Sequence, residues 1–472
     1  MRGGASGCGK LIQATEIASS SVCFGRLRLI VAAVWQRLAP TARALRHRNY
    51  KLFFFGQGMS LIGTWMQRIA LGWLVYRLTG SEMLLGVVGF AGQIPTFLIA
   101  PFAGVLADRT DRRKLLVVTQ VLAMLQAFVL AGLTLGGAVA TGHIIVLSAV
   151  LGVINAFDIP IRQSFVVEML ESRQDLPNAI ALNSFLVNGA RLVGPSLAGL
   201  LIAGVGEGIC FLLNGMTFLA VIAALLAMRL NPVTRHAGKS HVLHNLREGL
   251  VYAFHVVPIR AILLLLATIS LLGTSYSVLM PVFAKDILHG GPKTLGFLMA
   301  AGGIGAIAGA VFLASRKTVR GLGRVVALAA ALFGAALIAF SYSRNLYLSL
   351  GLMAVAGFGM MVQFASSNSL IQTIVDDDKR GRVMSLYVMA LMGMGPFGSL
   401  LAGWLAGVLG PPAAVAIGGA GCIVAAGLFA TRLPLLGRLV HPTYIKLGLV
   451  PSQSENENGS PLGVSSPWEV RL

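Results

Sequence analysis

Runs of apolar residues long enough to cross a bilayer (about 20 residues each) alternate with short polar breaks along almost the whole chain. The predicted spans are 52–78, 84–107, 115–136, 144–167, 177–204 and 209–230, then 258–284, 295–314, 325–342, 346–375, 383–409 and 413–433. Between the sixth and seventh lies a polar interval, 231–257, whose segment 244–254 alternates apolar and polar positions at helical spacing. Such a piece is expected to lie along the membrane surface. The pattern predicts an all-α membrane protein, with twelve transmembrane helices in two pseudo-symmetric six-helix bundles at 51–230 and 258–433. A basic arm (1–50) and a polar, mostly disordered tail (434–472) flank them.

Composition supports this pattern. The chain has 472 residues, 56% hydrophobic and 11% charged, with mean hydropathy +0.80. Soluble domains carry about 25% charged residues. The 57 glycines suit helices that pack closely in lipid. A net charge of +20 could suggest nucleic acid, but its distribution argues against that. Thirty of the 37 Lys and Arg fall in one alternating set of connecting segments or at the span ends that adjoin it (Arg229, Arg260 and Arg432). Four (Arg77, Lys285, Lys293 and Arg344) fall in the other set or at its adjoining span ends, and Arg68, Arg162 and Arg191 lie deeper within spans. This asymmetry follows the positive-inside rule and puts both termini in the cytoplasm; the basic arm then lies against anionic lipid. Its apolar run, 29–35, is too short for a signal-peptide core, and the four cysteines show no metal spacing.

The chain carries an internal echo. Gly194-Pro195-Ser-Leu-Ala-Gly199 in span five resembles the stretch from Gly395-Pro396 to Gly403 in span eleven, allowing a three-residue insertion. Each follows an acidic loop, Glu171 to Asp175 and Asp376 to Asp378. Two related halves suit a transporter with its site at the midplane between them.

Charges inside spans are costly and are therefore functional candidates. They are Arg68 in span one, Asp158 and Arg162 in span four and Arg191 in span five, with Glu168 at the end of span four. Asp158 and Arg162 are one turn apart, with Pro160 between them expected to kink the helix. Asp158 is either the proton carrier, with Glu168 next, or a permanent counter-ion to Arg162 or Arg191. Polar and aromatic residues at midspan are expected to line a substrate cavity: Gln57, Trp65, Gln67, Asn183, Asn188, Tyr276, Gln363, Asn368 and Tyr387.

The loop after span two reads Gly104-Val-Leu-Ala-Asp108-Arg109-Thr-Asp111-Arg112-Arg113-Lys114. It resembles the loop signature of the major facilitator superfamily: Gly104, Asp108, Arg109, Arg112 and Arg113 match, while Asp111 stands where that family usually has glycine. Gly189-Ala-Arg191-Leu-Val-Gly194-Pro195-Ser-Leu-Ala198-Gly199 is similar to the antiporter signature of exporters in the superfamily, with Ala198 replacing a glycine. Asn49 to Gln57 with Gly63 to Arg68, Phe157 to Ser164, and Asn368 to Thr373 with Arg380 to Tyr387 resemble the enterobactin-exporter-like group. The resemblance implies the major facilitator fold and proton-coupled efflux of a siderophore or another amphiphilic small molecule across a bacterial inner membrane. It also implies a cytoplasmic latch between the Asp108–Arg112 turn and the start of span eleven near Asp378. A second latch, from the turn 316–324 (Arg316, Lys317, Arg320, Arg324) to Asp175 or Glu171, follows from charge alone. Both would close the cytoplasmic side when the outside is open.

No P-loop is present, which argues against an ATP-driven pump, and the eight histidines are scattered, which argues against a metalloenzyme. A monomeric, non-enzymatic transporter without cofactor or metal is expected. A passive facilitator or importer is the alternative.

Overall fold

The computed structural model describes residues 43–229, 242–316, 318–319, 321–376 and 379–446. Within them, twelve long helical segments run back and forth. They are α1 Arg48–Thr79, α2 Glu82–Arg109, α3 Arg112–Leu135, α4 Thr141–Phe165, α5 Leu176–Val205, α6 Glu207–Ala227, α7 Val257–Ile287, α8 Pro292–Ala314, α9 Leu322–Tyr342, α10 Leu346–Ile374, α11 Arg380–Leu409 and α12 Pro411–Lys446. Length and composition make eleven of them candidate membrane spans. α1, which carries Gln57, Gln67 and Arg68, packs against α5 and α6 as the twelfth. α12 continues past the expected boundary at 433 to Lys446.

Local chemistry sets where the helices turn. Asp111 caps α3, its carboxylate accepting from the Arg113 and Lys114 backbone N–H groups at 3.0 and 3.2 Å. Asn345 caps α10 in the same way, accepting from Tyr347 and Leu348 at 2.9 and 3.2 Å. Each cap satisfies helix N–H groups that have no partner within the helix, contributing about 1 kcal/mol. Gly206 and Gly410 reverse the chain after α5 and α11 with φ of 85° and 86°, a region open to glycine.

Two helices are broken. α7 contains π-helical turns at Ile269–Gly273 and Phe283–Ile287, with Pro281 between them. α11 is interrupted at Met394, immediately before Gly395-Pro396, because proline has no N–H to give the helix ladder. α4 stays helical through Pro160 and ends in a 3₁₀ turn, Val166–Met169.

The halves are related helix by helix, and the structure corrects the register of the repeat. Gly199 of α5 packs on Gly296 of α8, and Gly403 of α11 packs on Gly86 of α2. Gly194 meets Trp65 and Ile62 of α1, while Gly398 meets Leu271 and Ser275 of α7. The pairs Gly194/Gly398, Gly199/Gly403 and Gly206/Gly410 thus correspond without any insertion.

Connecting loops rich in Lys and Arg lie at one end of the bundle, here the basic face. The halves meet near the opposite, outer face. α2 lies along the outer segment of α11, Gly395–Leu409, and barely touches Arg380–Gly393 nearer the basic face. A β-carbon at Gly86 would come 2.7 Å from the Ser399 carbonyl, and one at Gly199 2.7 Å from the Pro292 carbonyl. Gly189, nearer the basic face on α5, has no such neighbour within 4 Å. Small residues bring the backbones together at the outer end, and the halves part below.

A polar contact joins the halves at the same end. The Tyr76 hydroxyl of α1 donates to the Asp286 carboxylate of α7, and Lys285 Nζ stands 5.3 Å from the Tyr76 ring centroid. A hydrogen bond to a charged group contributes about 1.5–3 kcal/mol. Tyr76→Phe is expected to raise the population open at the outer face roughly tenfold at the lower end of that range. Accessibility of a cysteine introduced in the outer part of α7 to a membrane-impermeant thiol reagent would check it, and labelling at the parent rate would show that the contact does not hold the outer face shut.

Candidate substrate and coupling site

Two polar clusters sit at span depth. The first lies inside the N-terminal half. Asp158 of α4 is buried, its Oδ1 accepting from Gln120 Nε2 at 2.6 Å and Thr119 Oγ1 at 3.1 Å, both on α3. Its Oδ2 lies 3.4 Å from Arg162 Nε, one turn along the same helix. Arg162, rather than Arg191, is therefore its ionic partner. Glu168 accepts from Arg112 Nη1 at 2.9 Å, tying the end of α4 to the start of α3.

The second cluster joins both halves. Trp65 of α1 lies beside two guanidinium groups, with Arg68 Cζ 5.4 Å and Arg191 Cζ 5.8 Å from its ring centroid. Arg191 Nη2 also approaches Met360 Sδ of α10 at 3.9 Å. Arg191 is half-buried and Arg68 is exposed, although it lies in the interior of the bundle.

Helical geometry explains why neighbouring residues divide between packing and cavity. Successive side chains turn by about 100°. Gln67, next to Arg68, is buried within the N-terminal half, donating to Gln126 Oε1 at 3.1 Å and accepting from Asn214 Nδ2 at 2.7 Å. Such hydrogen bonds between helices contribute about 0.6–2 kcal/mol each. Gln57 is also buried. Tyr387 is buried and donates to the Phe364 carbonyl at 2.9 Å, and Gln363, also buried, donates to Ser367 at 3.2 Å. These four serve packing in this conformation rather than the cavity surface. Asn183 and Asn188 are half-buried on α5, where Asn188 donates to the Ser184 carbonyl at 2.9 Å. Asn368 accepts from Gln372 at 2.7 Å. Tyr276 is buried against Phe333, with ring centroids 6.2 Å apart.

At the basic face, Asp175, Glu171, Arg112 and Arg113, expected in or beside the latches, make contacts within their own half. Asp175 Oδ2 lies 2.9 Å from His47 Nε2, and His47 Nδ1 accepts from the Glu171 backbone N–H at 3.3 Å. Arg113 donates to the Leu226 carbonyl at the end of α6 at 2.8 Å. Arg316 is half-buried just beyond α8. Gly104, Asp108 and Arg109 lie on α2, but their side chains fall outside the described residues, as does Asp378. Sequence reasoning missed the roles of His47 and Asp111. Asp111 had a legible signal, an aspartate just before a helix. The surface helix Val242–His255 docks on the second half, with Arg382 Nη1 2.6 Å from Glu248 Oε2 and Tyr252 donating to Asp376 at 2.9 Å.

Two halves of the same orientation, related helix by helix around a polar midplane cluster, define a secondary transporter of the major facilitator type. Residues 38–441 match the family described as Transmembrane secretion effector, and the chain belongs to that family. It is similar to the Staphyloferrin A transporter of Staphylococcus aureus, 27% identical over 365 residues, covering 76% of this chain and 90% of the relative. It is also similar to the multidrug efflux pump Tap of Mycobacterium tuberculosis, 28% identical over 407 residues, covering 82% and 94%. Among solved structures, a peptide transporter POT superposes with a TM-score of 0.67 at 13% identity, covering 83% of this chain and 95% of that one. The family and its relatives are transporters, not enzymes.

Proposed function

We propose that the protein exports an amphiphilic small molecule, siderophore or drug-like, by alternating access coupled to inward proton movement. One observation carries this: the halves touch at the outer face and part toward the basic face, leaving Arg68 and Arg191 accessible in the interior. The positive-inside rule assigns the basic face, and with it both termini, to the cytoplasm of an inner membrane. The cavity is then open where an exported substrate loads. The named relatives, a siderophore transporter and a multidrug efflux pump, support the substrate class. Asp158 is the proton carrier in this scheme, since among the described residues it is the acid set deepest in a span. The two latches are formed in the alternate, outward-open state, for which Asp175 leaves His47 and Arg112 leaves Glu168. The protein acts as a monomer without cofactor.

Everted membrane vesicles containing the protein should accumulate a siderophore or drug substrate when their interior is made acid. Accumulation should collapse when the proton gradient is dissipated. Equilibration without accumulation would replace export by facilitated diffusion.

A further inference from the structure

We propose that Arg68, Arg191 and Trp65 form an oxyanion site at the centre of the cavity, so that the transported molecule carries a carboxylate or similar organic oxyanion beside a planar apolar part. The inference rests on the export reading above and specifies what the cavity selects.

Two guanidinium groups hold ten N–H bonds and no acceptor. Among the described residues, neither Arg68 nor Arg191 has a carboxylate within salt-bridge distance, and the hydrogen-bond acceptor found for either is the Met360 thioether at 3.9 Å. Asp158 pairs with Arg162 and accepts from Gln120 and Thr119, and Glu168 pairs with Arg112. Charges at membrane depth are costly, and resident arginines usually carry a resident counter-charge. Here two like charges instead lie beside one indole, each within 6 Å of its centroid, where cation–π attraction holds them in place. The result is a fixed positive potential in a cavity with low-dielectric walls, which concentrates anions. The guanidinium fork matches carboxylate geometry in a way that a lysine does not. Arg68 is exposed and Arg191 half-buried, so both can reach a ligand. The second half takes part through Met360 on α10, whose thioether lies 3.9 Å from Arg191 Nη2. A ligand held here would touch both halves, as a site that controls alternating access must.

The test uses purified full-length protein and two dyes, anionic carboxyfluorescein and cationic ethidium, followed by fluorescence anisotropy. Wild-type protein should bind carboxyfluorescein saturably. Arg68→Ala and Arg191→Ala should each weaken binding about tenfold or more, with Arg191→Lys retaining part of the affinity. On the wild type alone, benzoate should displace the dye and neutral benzamide should not. No saturable carboxyfluorescein binding, equal affinity in the alanine variants, or displacement by benzamide as readily as by benzoate would overturn the proposal. Gradient-driven vesicle uptake of ethidium but not of carboxyfluorescein would retain export and remove the oxyanion site. Arginine-dependent binding without gradient-driven uptake would do the reverse.

Discussion

Gly199→Val is expected to lower transport about tenfold or more while leaving the protein folded. A β-carbon at this position would stand 2.7 Å from the Pro292 carbonyl and 3.0 Å from Gly296 Cα, both on α8 in the other half. Backbone cannot yield as a flexible side chain does, so the helices must separate at the outer face. Overpacking costs about 1–3 kcal/mol. The cost falls on one conformation only, because the contact joins the halves rather than building either one. Transporter conformations commonly differ by a few kcal/mol, so a penalty of this size removes most of the outward-closed population. Gly403→Val should act alike, since its β-carbon would meet the Glu82 carbonyl of α2 at 2.8 Å. Distances between spin labels at the outer ends of α5 and α8 should lengthen in Gly199→Val, and vesicle uptake should fall. Wild-type uptake with a wild-type distance distribution would mean that glycine is not needed for closure.

How much of this was legible in the sequence depended on the kind of signal. Helix boundaries followed the hydrophobic runs to within a few residues, because an unpaired backbone group in hydrocarbon costs several kcal/mol and each run must stay helical throughout. α12 outran its expected end because Leu435, Leu436 and Leu439 keep the helix apolar after Pro434. The duplication was visible but misregistered. Gly395-Pro396 copies the dipeptide Gly194-Pro195, yet Gly398 occupies the equivalent packing position, and only the contacts reveal that. The site was harder to read. Gln67 and Arg68 are adjacent polar residues of one span, and one packs within its half while the other faces the cavity. Which of two neighbours points inward depends on the rotation of α1 against α5 and α6, a tertiary property that one sequence does not encode locally. The Arg68–Trp65–Arg191 cluster was present as separate candidates, but its assembly needs α1 and α5 side by side.

Asp158 poses the remaining question, since one set of contacts is compatible with a structural and an energetic role. As a counter-ion it neutralises Arg162 at 3.4 Å, and Gln120 and Thr119 hold its other oxygen. Removing one member of a buried ion pair costs about 3–5 kcal/mol, because the other charge is left uncompensated. Arg162 is partly exposed, which brings the expected loss for Asp158→Asn toward the lower end of that range. Such a loss alone would abolish accumulation and could be mistaken for lost coupling. The double variant Asp158→Asn with Arg162→Gln separates the two roles, since it removes the pair and strands no charge. It should regain most of the thermal stability lost in Asp158→Asn. If Asp158 carries the proton, the double variant should still equilibrate substrate across the vesicle membrane yet fail to accumulate it when the interior is acid, a complete loss of gradient dependence. If the double variant accumulates substrate with the wild-type response to the imposed gradient, Asp158 is a counter-ion and the proton travels by another group. Glu168, held by Arg112 at 2.9 Å where α4 meets α3, would then be the acid to test next.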